Sequence, residues 1–171
     1  MTFWRNYYHV VWATKERLPL IQVGFEDALF GYLIHKALNT GLYVYGVNGM
    51  NDHLHMILAI PPKMSVAQVV KMLKGASSHY VNQFIKPEHL DFAWQRGYGC
   101  LTLGEKHRSV AMAYVENQKK HHEEQTTNAW LERYDIQDEG PMDHGILSIE
   151  DPGIIREEKT VYEAIPDPWL F

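Results

Sequence analysis

The sequence of 171 residues holds a single cysteine, Cys100. One thiol excludes an internal disulfide and fits a reducing compartment. Set inside an apolar, strand-like run, it reads as a packed side chain rather than a nucleophile. No apolar run approaches the roughly 20 residues that a membrane span requires. Residues 1–5 lack the charged start and long apolar core of a secretory leader, so a cytoplasmic protein with no membrane partner is expected. Internal repeats and low-complexity segments are also missing. Positive charge is scarce: 16 Lys and Arg stand against 21 Asp and Glu, a net of −5. Taken as an average, that balance argues against a nucleic-acid partner, because phosphate contacts need Lys and Arg.

What is present is unevenly spread. Residues 1–127 carry 13 Lys/Arg and 10 Asp/Glu, a net of +3, whereas residues 128–171 carry 3 and 11, a net of −8. Nine of the ten histidines fall in the first stretch. The expected organisation is therefore a mildly basic domain over residues 1–127, rich in His, Tyr and Trp, followed by an acidic extension over 128–171. The average charge hides the character of the body. Even +3 is modest, so strong nonspecific DNA binding is not expected of it. With 46% hydrophobic and 22% charged residues the chain is of ordinary globular composition, and its length suits one compact domain with an appendage.

Residues 3–14 are dense in aromatic and β-branched side chains and predict a strand. Apolar Phe25, Leu29, Tyr32, Leu33 and Leu38 recur at helical spacing over 24–39, and Gly41 stops that helix. Two strand-like runs follow, split by a tight loop at Gly49-Met50-Asn51-Asp52 and closed by Pro61-Pro62. Ser65 is a good N-cap for a helix over 66–84 with Val66, Val69, Val70, Leu73 and Tyr80 on its apolar face. Residues 92–104 read as a strand with irregularities at Gly97 and Gly99, and a last helix is expected over 106–123. The order β-α-β-β-α-β-α suits an α+β fold, a ferredoxin-like or palm-like antiparallel sheet with helices on one face. The punctuated, acidic tail promises no long regular element, and its apolar Trp130, Ile154, Ile155, Trp169, Leu170 and Phe171 suggest that it docks rather than floats.

Two constellations carry chemistry. In Asp52-His53-Leu54-His55 the histidines are two apart on a strand, so both imidazoles point to one face while Leu54, Met56 and Leu58 take the other. Paired imidazoles suit a divalent metal, given further ligands from elsewhere, although such a pair is also found solvated or hydrogen-bonded. In Tyr114-Val115-Glu116-Asn117-Gln118 the tyrosine and glutamine stand four apart and share a helix face, with Ala111 and Val115 on the buried side.

Together these residues resemble the single-tyrosine HUH transposases of small bacterial insertion sequences, the IS200-like superfamily that includes the REP-associated tyrosine transposases. The resemblance covers roughly residues 7–122. It rests on the Asp52–His55 motif, Ile60-Pro61-Pro62 after that strand, Lys74-Gly75-Ala76-Ser77-Ser78, Trp94-Gln95-Arg96-Gly97-Tyr98, and Tyr114–Gln118 with His121, all in order. It implies that His53, His55 and Gln118 bind Mg²⁺ or Mn²⁺, and that Tyr114 attacks a phosphate of single-stranded DNA. The product would be a 5′-phosphotyrosine with a free 3′-OH, a covalent intermediate that keeps the bond energy for rejoining. Tyrosine, with a pKa near 10, needs activation for this, and no base is evident. The resemblance also implies a homodimer, and DNA hairpins near element ends as the partner. By the same route Lys71, Lys74, Lys119 and Lys120 become backbone contacts, Ser77 and Ser78 phosphate contacts, and Arg96, between Trp94 and Tyr98, a base-stacking residue. An ordinary solvated surface or sheet pairing accounts for each of these equally. His121 and His122 fall either near the metal or at a solvated helix end.

The sequence departs from that pattern in two places. Asn51 precedes Asp52 where many relatives carry proline, and the family's minimal pattern ends soon after the tyrosine helix, leaving the acidic tail outside it. The tail could mimic DNA, join a dimer surface or mark a host-adapted copy. Retention of the His pair, Tyr and Gln favours a DNA nicking and joining enzyme over a domesticated, non-catalytic hairpin-binding protein of the same fold. A metallohydrolase barrel would need about 250 residues and further ligand motifs.

Overall fold

The computed structural model describes residues 3–87, 91–129 and 131–133. The chain divides into one compact unit spanning Met1–Asp138 and a second spanning Glu139–Phe171. The described residues all belong to the first. The expected docking of Trp130, Ile154, Ile155, Trp169, Leu170 and Phe171 concerns residues outside them.

Four strands form one antiparallel sheet: β1 (Tyr7–Ala13), β2 (Tyr43–Gly49), β3 (His53–Ala59) and β4 (Gly99–Leu103). Their order is β2-β3-β1-β4. With helix α1 (Glu26–Asn39) joining β1 to β2 and α2 (Val66–Tyr80) joining β3 to β4, this is the split βαβ arrangement of ferredoxin-like folds. Two further helices, α3 (Arg108–Glu116) and α4 (Gln118–Glu123), follow β4.

Alternation along the strands sorts side chains onto two faces. Val10 and Trp12 of β1 and Leu54, Met56 and Leu58 of β3 enter the main core with Leu29 and Leu33 of α1 and Val69, Val70 and Leu73 of α2. The pairs α1 and α2 thus cover one face, as the sequence predicts. On the other face Ile57 of β3 packs against Ala111 and Val115 of α3. That placement sets the Tyr114 helix over the strand bearing the two histidines.

Local chemistry explains most boundaries. Ser65 caps α2, its hydroxyl accepting from Gln68 N while Gln68 Oε1 accepts from Ser65 N. The β2–β3 hairpin depends on Gly49, where a Cβ would lie 2.3 Å from the carbonyl oxygen of His53. The helix expected over 106–123 is instead a short 3₁₀ turn at Glu105–His107, then α3, then α4. It breaks at Asn117, whose backbone leaves the helical region (φ −96°, ψ 17°) and whose side-chain amide donates to the Ala113 carbonyl. The strand expected over 92–104 shrinks to β4, with only Trp94 bridging to Thr14 before it.

The Lys74–Ser78 and Trp94–Tyr98 motifs prove to be partners of one another. Lys74 Nζ donates to the carbonyls of Gln95 and Gly97 at 2.6 and 2.8 Å. Ser77 is fully buried, donates to the Leu73 carbonyl and accepts from Trp94 Nε1 at 2.9 Å. Ser78 donates to the Phe92 carbonyl at 3.1 Å. Trp94 itself packs edge-on against Trp12 and Phe92. These contacts staple α2 to the run leading into β4. Ser77 is thus fully buried, and the half-buried Trp94 ring packs on Trp12 and Phe92.

Candidate active site

The site lies on the α3 side of the sheet, at the end where β3 begins. His53 and His55 project there from alternate positions of β3, both fully buried. Their rings stand 5.1 Å apart between centroids. Across from them on β1 are Ala13 and Val11, small side chains that leave room for two imidazoles. Asn48 of β2, paired with His55 in register, donates through its amide to the Glu116 carbonyl at 3.0 Å. That bond pins the end of α3 over the histidines, and the Tyr114 ring stands edge-on to His55 at 6.3 Å between centroids.

Each histidine is held at Nδ1. His53 Nδ1 lies 2.6 Å from Asp52 Oδ1, and Asp52 also accepts from Arg17 Nε at 2.9 Å. Burial alone would push the His53 pKa down, but the hydrogen bonds to Asp52 and Glu132 outweigh it and the net shift is upward. His55 Nδ1 lies 2.9 Å from Nε2 of His9, a buried residue of β1. Burial holds the His55 pKa down, and Glu132 offsets this only in part. His9 falls to about 3, through burial first and His55 second, so it is neutral at physiological pH.

The Nε2 atoms of both histidines face Glu132, whose Oε2 is 3.2 Å from each. His122 Nε2 approaches the same oxygen at 3.7 Å. The other oxygen, Oε1, accepts from the Tyr114 hydroxyl at 2.5 Å and from Gln118 Nε2 at 2.7 Å. One carboxylate therefore joins the histidines, the tyrosine and the glutamine. Its burial raises the carboxyl pKa, yet the close approach of the His53 and His55 imidazoles outweighs that and holds it well below the usual range. Tyr114 is pushed up to about 12 by burial and by its bond to the carboxylate, so its phenol is protonated at neutral pH. The Asn128 amide donates to the same phenolic oxygen at 3.0 Å, and His121 stacks on the ring at 4.7 Å.

This arrangement passes a physical test for a divalent cation. His53, His122 and Glu132 offer ligand atoms within 4.8 Å of one another. Among the described residues His55 Nε2, Gln118 Oε1 and His122 Nε2 are buried yet form no hydrogen bond. Buried polar atoms are normally satisfied, so several converging on one point suit an ion. The His/Glu group thus fits a divalent metal.

All four central residues of the sequence reading, His53, His55, Tyr114 and Gln118, meet at this point. Of the other expected contacts, Lys71, Arg96 and Lys120 are exposed. Lys119 pairs with Glu26 at 2.6 Å, and Lys74, Ser77 and Ser78 serve the fold as described. Sequence reasoning missed two residues. Glu132 is one of eleven acids beyond residue 127, with no periodicity to single it out. His9 lies 46 residues from His55, and only the register of β1 against β3 brings them together. Cys100, half-buried and pushed up to about 11 by burial, is the packed thiol expected.

Comparison with known proteins identifies the family. Residues 2–118 match the family described as "Transposase IS200 like". The chain is 31% identical over 117 residues to the ISDra2 transposase TnpA of Deinococcus radiodurans, spanning 65% of this chain and 82% of that protein. It is 33% identical over 123 residues to the transposase for insertion sequence element IS200 of Salmonella typhimurium, spanning 68% and 79%. A crystal structure of a transposase from Deinococcus radiodurans superposes with a TM-score of 0.54 at 31% identity, covering 69% of this chain and 95% of that one. The fold is also that of a REP-associated tyrosine transposase (TM-score 0.54, 12% identity, 76% of both chains). The chain belongs to the IS200-like transposases.

Proposed function

We propose that this transposase cleaves and rejoins single-stranded DNA through a 5′-phosphotyrosine on Tyr114, in a site that requires Mg²⁺ or Mn²⁺. The observation that carries the reading is the convergence of His53, His55, Gln118 and the Tyr114 hydroxyl on the single carboxylate of Glu132. His53, His55, Gln118 and Glu132 form the metal-ligand set, with His122 beside it. Two imidazoles with carboxylate and amide oxygens suit Mn²⁺ at least as well as oxygen-loving Mg²⁺. Once bound, such an ion polarises a phosphoryl oxygen and offsets the charge developing on the leaving 3′ oxygen.

The chain's own residues do the rest. His121 stacks on the Tyr114 ring, and the Asn128 amide and Glu132 carboxylate hold its oxygen, so the nucleophile is aimed before DNA arrives. Attack by that oxygen on phosphorus forms the Tyr114–phosphate bond and breaks the bond to the 3′ oxygen; the proton that the phenol loses is the one the departing oxygen gains, so it leaves as a free 3′-OH. A 3′-OH attacking in the reverse sense rejoins DNA and releases Tyr114.

The partner in this reading is single-stranded DNA with hairpins at element ends, bound by a homodimer. The REP-associated tyrosine transposase that shares the fold was solved bound to a REP hairpin, which supports hairpin DNA as the ligand class. Lys71 and Lys120, being exposed, are the backbone contacts of choice, and exposed Arg96 is the base-stacking residue.

The test is to incubate the protein with labelled single-stranded DNA carrying its element's ends and Mg²⁺ or Mn²⁺. An SDS-resistant adduct is expected, absent with chelator and in Tyr114→Phe. An adduct formed in chelator would sink the metal site. Tight hairpin binding with no adduct across the end sequences would favour a non-catalytic, domesticated hairpin binder.

A further inference from the structure

We infer that His9 is a positioning residue for the metal centre: it fixes the tautomer of His55 so that His55 Nε2 is bare and available as a ligand. The inference rests on the reading of His55 as a ligand.

The argument begins with the strand register. β1 and β3 run antiparallel with Val11 opposite His55 and His9 opposite Ile57. His9 and His55 therefore lie diagonally on one sheet face, within reach of each other. Their ring planes are within 4° of parallel, with centroids 5.1 Å apart. Nε2 of His9 meets Nδ1 of His55 edge to edge at 2.9 Å. His9 is 1% exposed and His55 fully buried, so water does not satisfy this edge of either ring.

A neutral imidazole carries one N–H, and the hydrogen bond made by one nitrogen decides the state of the other. For Nε2 of His55 to hold a metal, its proton must sit on Nδ1. A buried N–H without an acceptor costs about 1–3 kcal/mol. The acceptor that the described residues supply is His9 Nε2.

The two ligand histidines are thus oriented by different chemistry. Asp52 grips His53 with a carboxylate, the common outer partner of a metal-bound histidine, whereas His9 grips His55 with a neutral ring. The difference adds no further negative charge to a pocket that already holds Glu132.

Three measurements test this. In the protein loaded with diamagnetic Mg²⁺, ¹⁵N NMR of the imidazoles should show His55 protonated on Nδ1; loss of that proton, or protonation on Nε2, would overturn the inference. Calorimetric titration with Mn²⁺ should then compare wild type with His9→Phe, which fills the space but cannot accept, and with His9→Gln, whose carbonyl can. Loss of an outer-shell partner typically weakens metal binding about 10–100-fold, so that loss is expected for Phe and recovery toward wild type for Gln. Equal Mn²⁺ affinity in all three proteins would overturn the inference, as would equal weakening in both variants at unchanged melting temperature. If His9→Phe fails to fold, the NMR tautomer and the Gln variant still decide. Failure of wild type itself to bind Mn²⁺ would instead sink the reading of His55 as a ligand.

Discussion

The two faces of the sheet are built from the same strands and do opposite work. On one, Val10, Trp12, Leu54, Met56 and Leu58 pack with α1 and α2 into a core that is mostly apolar. On the other, His9, His53 and His55 from the alternate positions are equally buried but meet Gln118, Tyr114 and Glu132. Burial without polarity stabilises, at about 25 cal/mol per Å² of apolar surface. Burial of polar groups is costly unless each finds a partner, so the second face gathers its polar groups around one carboxylate and leaves His55 Nε2, Gln118 Oε1 and His122 Nε2 for a cation to satisfy. The lesson is that one face supplies the stability that allows the other to keep its imidazoles buried beside a carboxylate.

That division can be broken from either side. Leu54→Ala empties the apolar face next to His53 and His55, and a cavity there should cost about 2–5 kcal/mol. Chemical denaturation should register the loss, while Mn²⁺ affinity of the folded fraction stays near wild type. A large loss of metal affinity in the still-folded protein would show that the faces are not separable.

Glu132→Ala attacks the opposite face. Removing one ligand should weaken Mn²⁺ binding by at least about tenfold, or 1.4 kcal/mol, as measured by calorimetry. Adduct formation should fall with it, while the melting temperature stays within a few degrees. Faster adduct formation on removing this carboxylate would contradict its role as a ligand.

Gly99→Ala is a weaker form of the same change. A Cβ at Gly99 would lie 1.8 Å from the Arg133 carbonyl oxygen and 2.8 Å from Val11 Cγ1, so the backbone beside Glu132 must shift. Mn²⁺ affinity should fall in the direction of Glu132→Ala but by less. An unchanged affinity would show that Glu132 keeps its place when its neighbour moves.

Much of this was legible in the sequence because it depends on short-range periodicity. A two-residue repeat set His53 and His55 on one face, and a four-residue spacing kept Tyr114 and Gln118 together even though the helix breaks at Asn117 between them. The break itself was hidden, since it turns on an Asn side chain competing for the Ala113 carbonyl. Lys74, Ser77 and Ser78 read as surface because their partners, the carbonyls and indole of residues 92–97, come from a distant irregular stretch. Glu132 and His9 were hidden for the same reason. Their chemistry belongs to tertiary neighbours, and an acidic tail with no period offers no cue to which acid turns inward.

The most direct test of the central claim is to locate the DNA on the protein. The covalent adduct formed with Mn²⁺ should be digested and its peptides identified by mass spectrometry. The account predicts a nucleotide joined through its 5′ phosphate to Tyr114, and no such peptide when chelator is present. A nucleotide on any other side chain, or one joined through a 3′ phosphate, would contradict it.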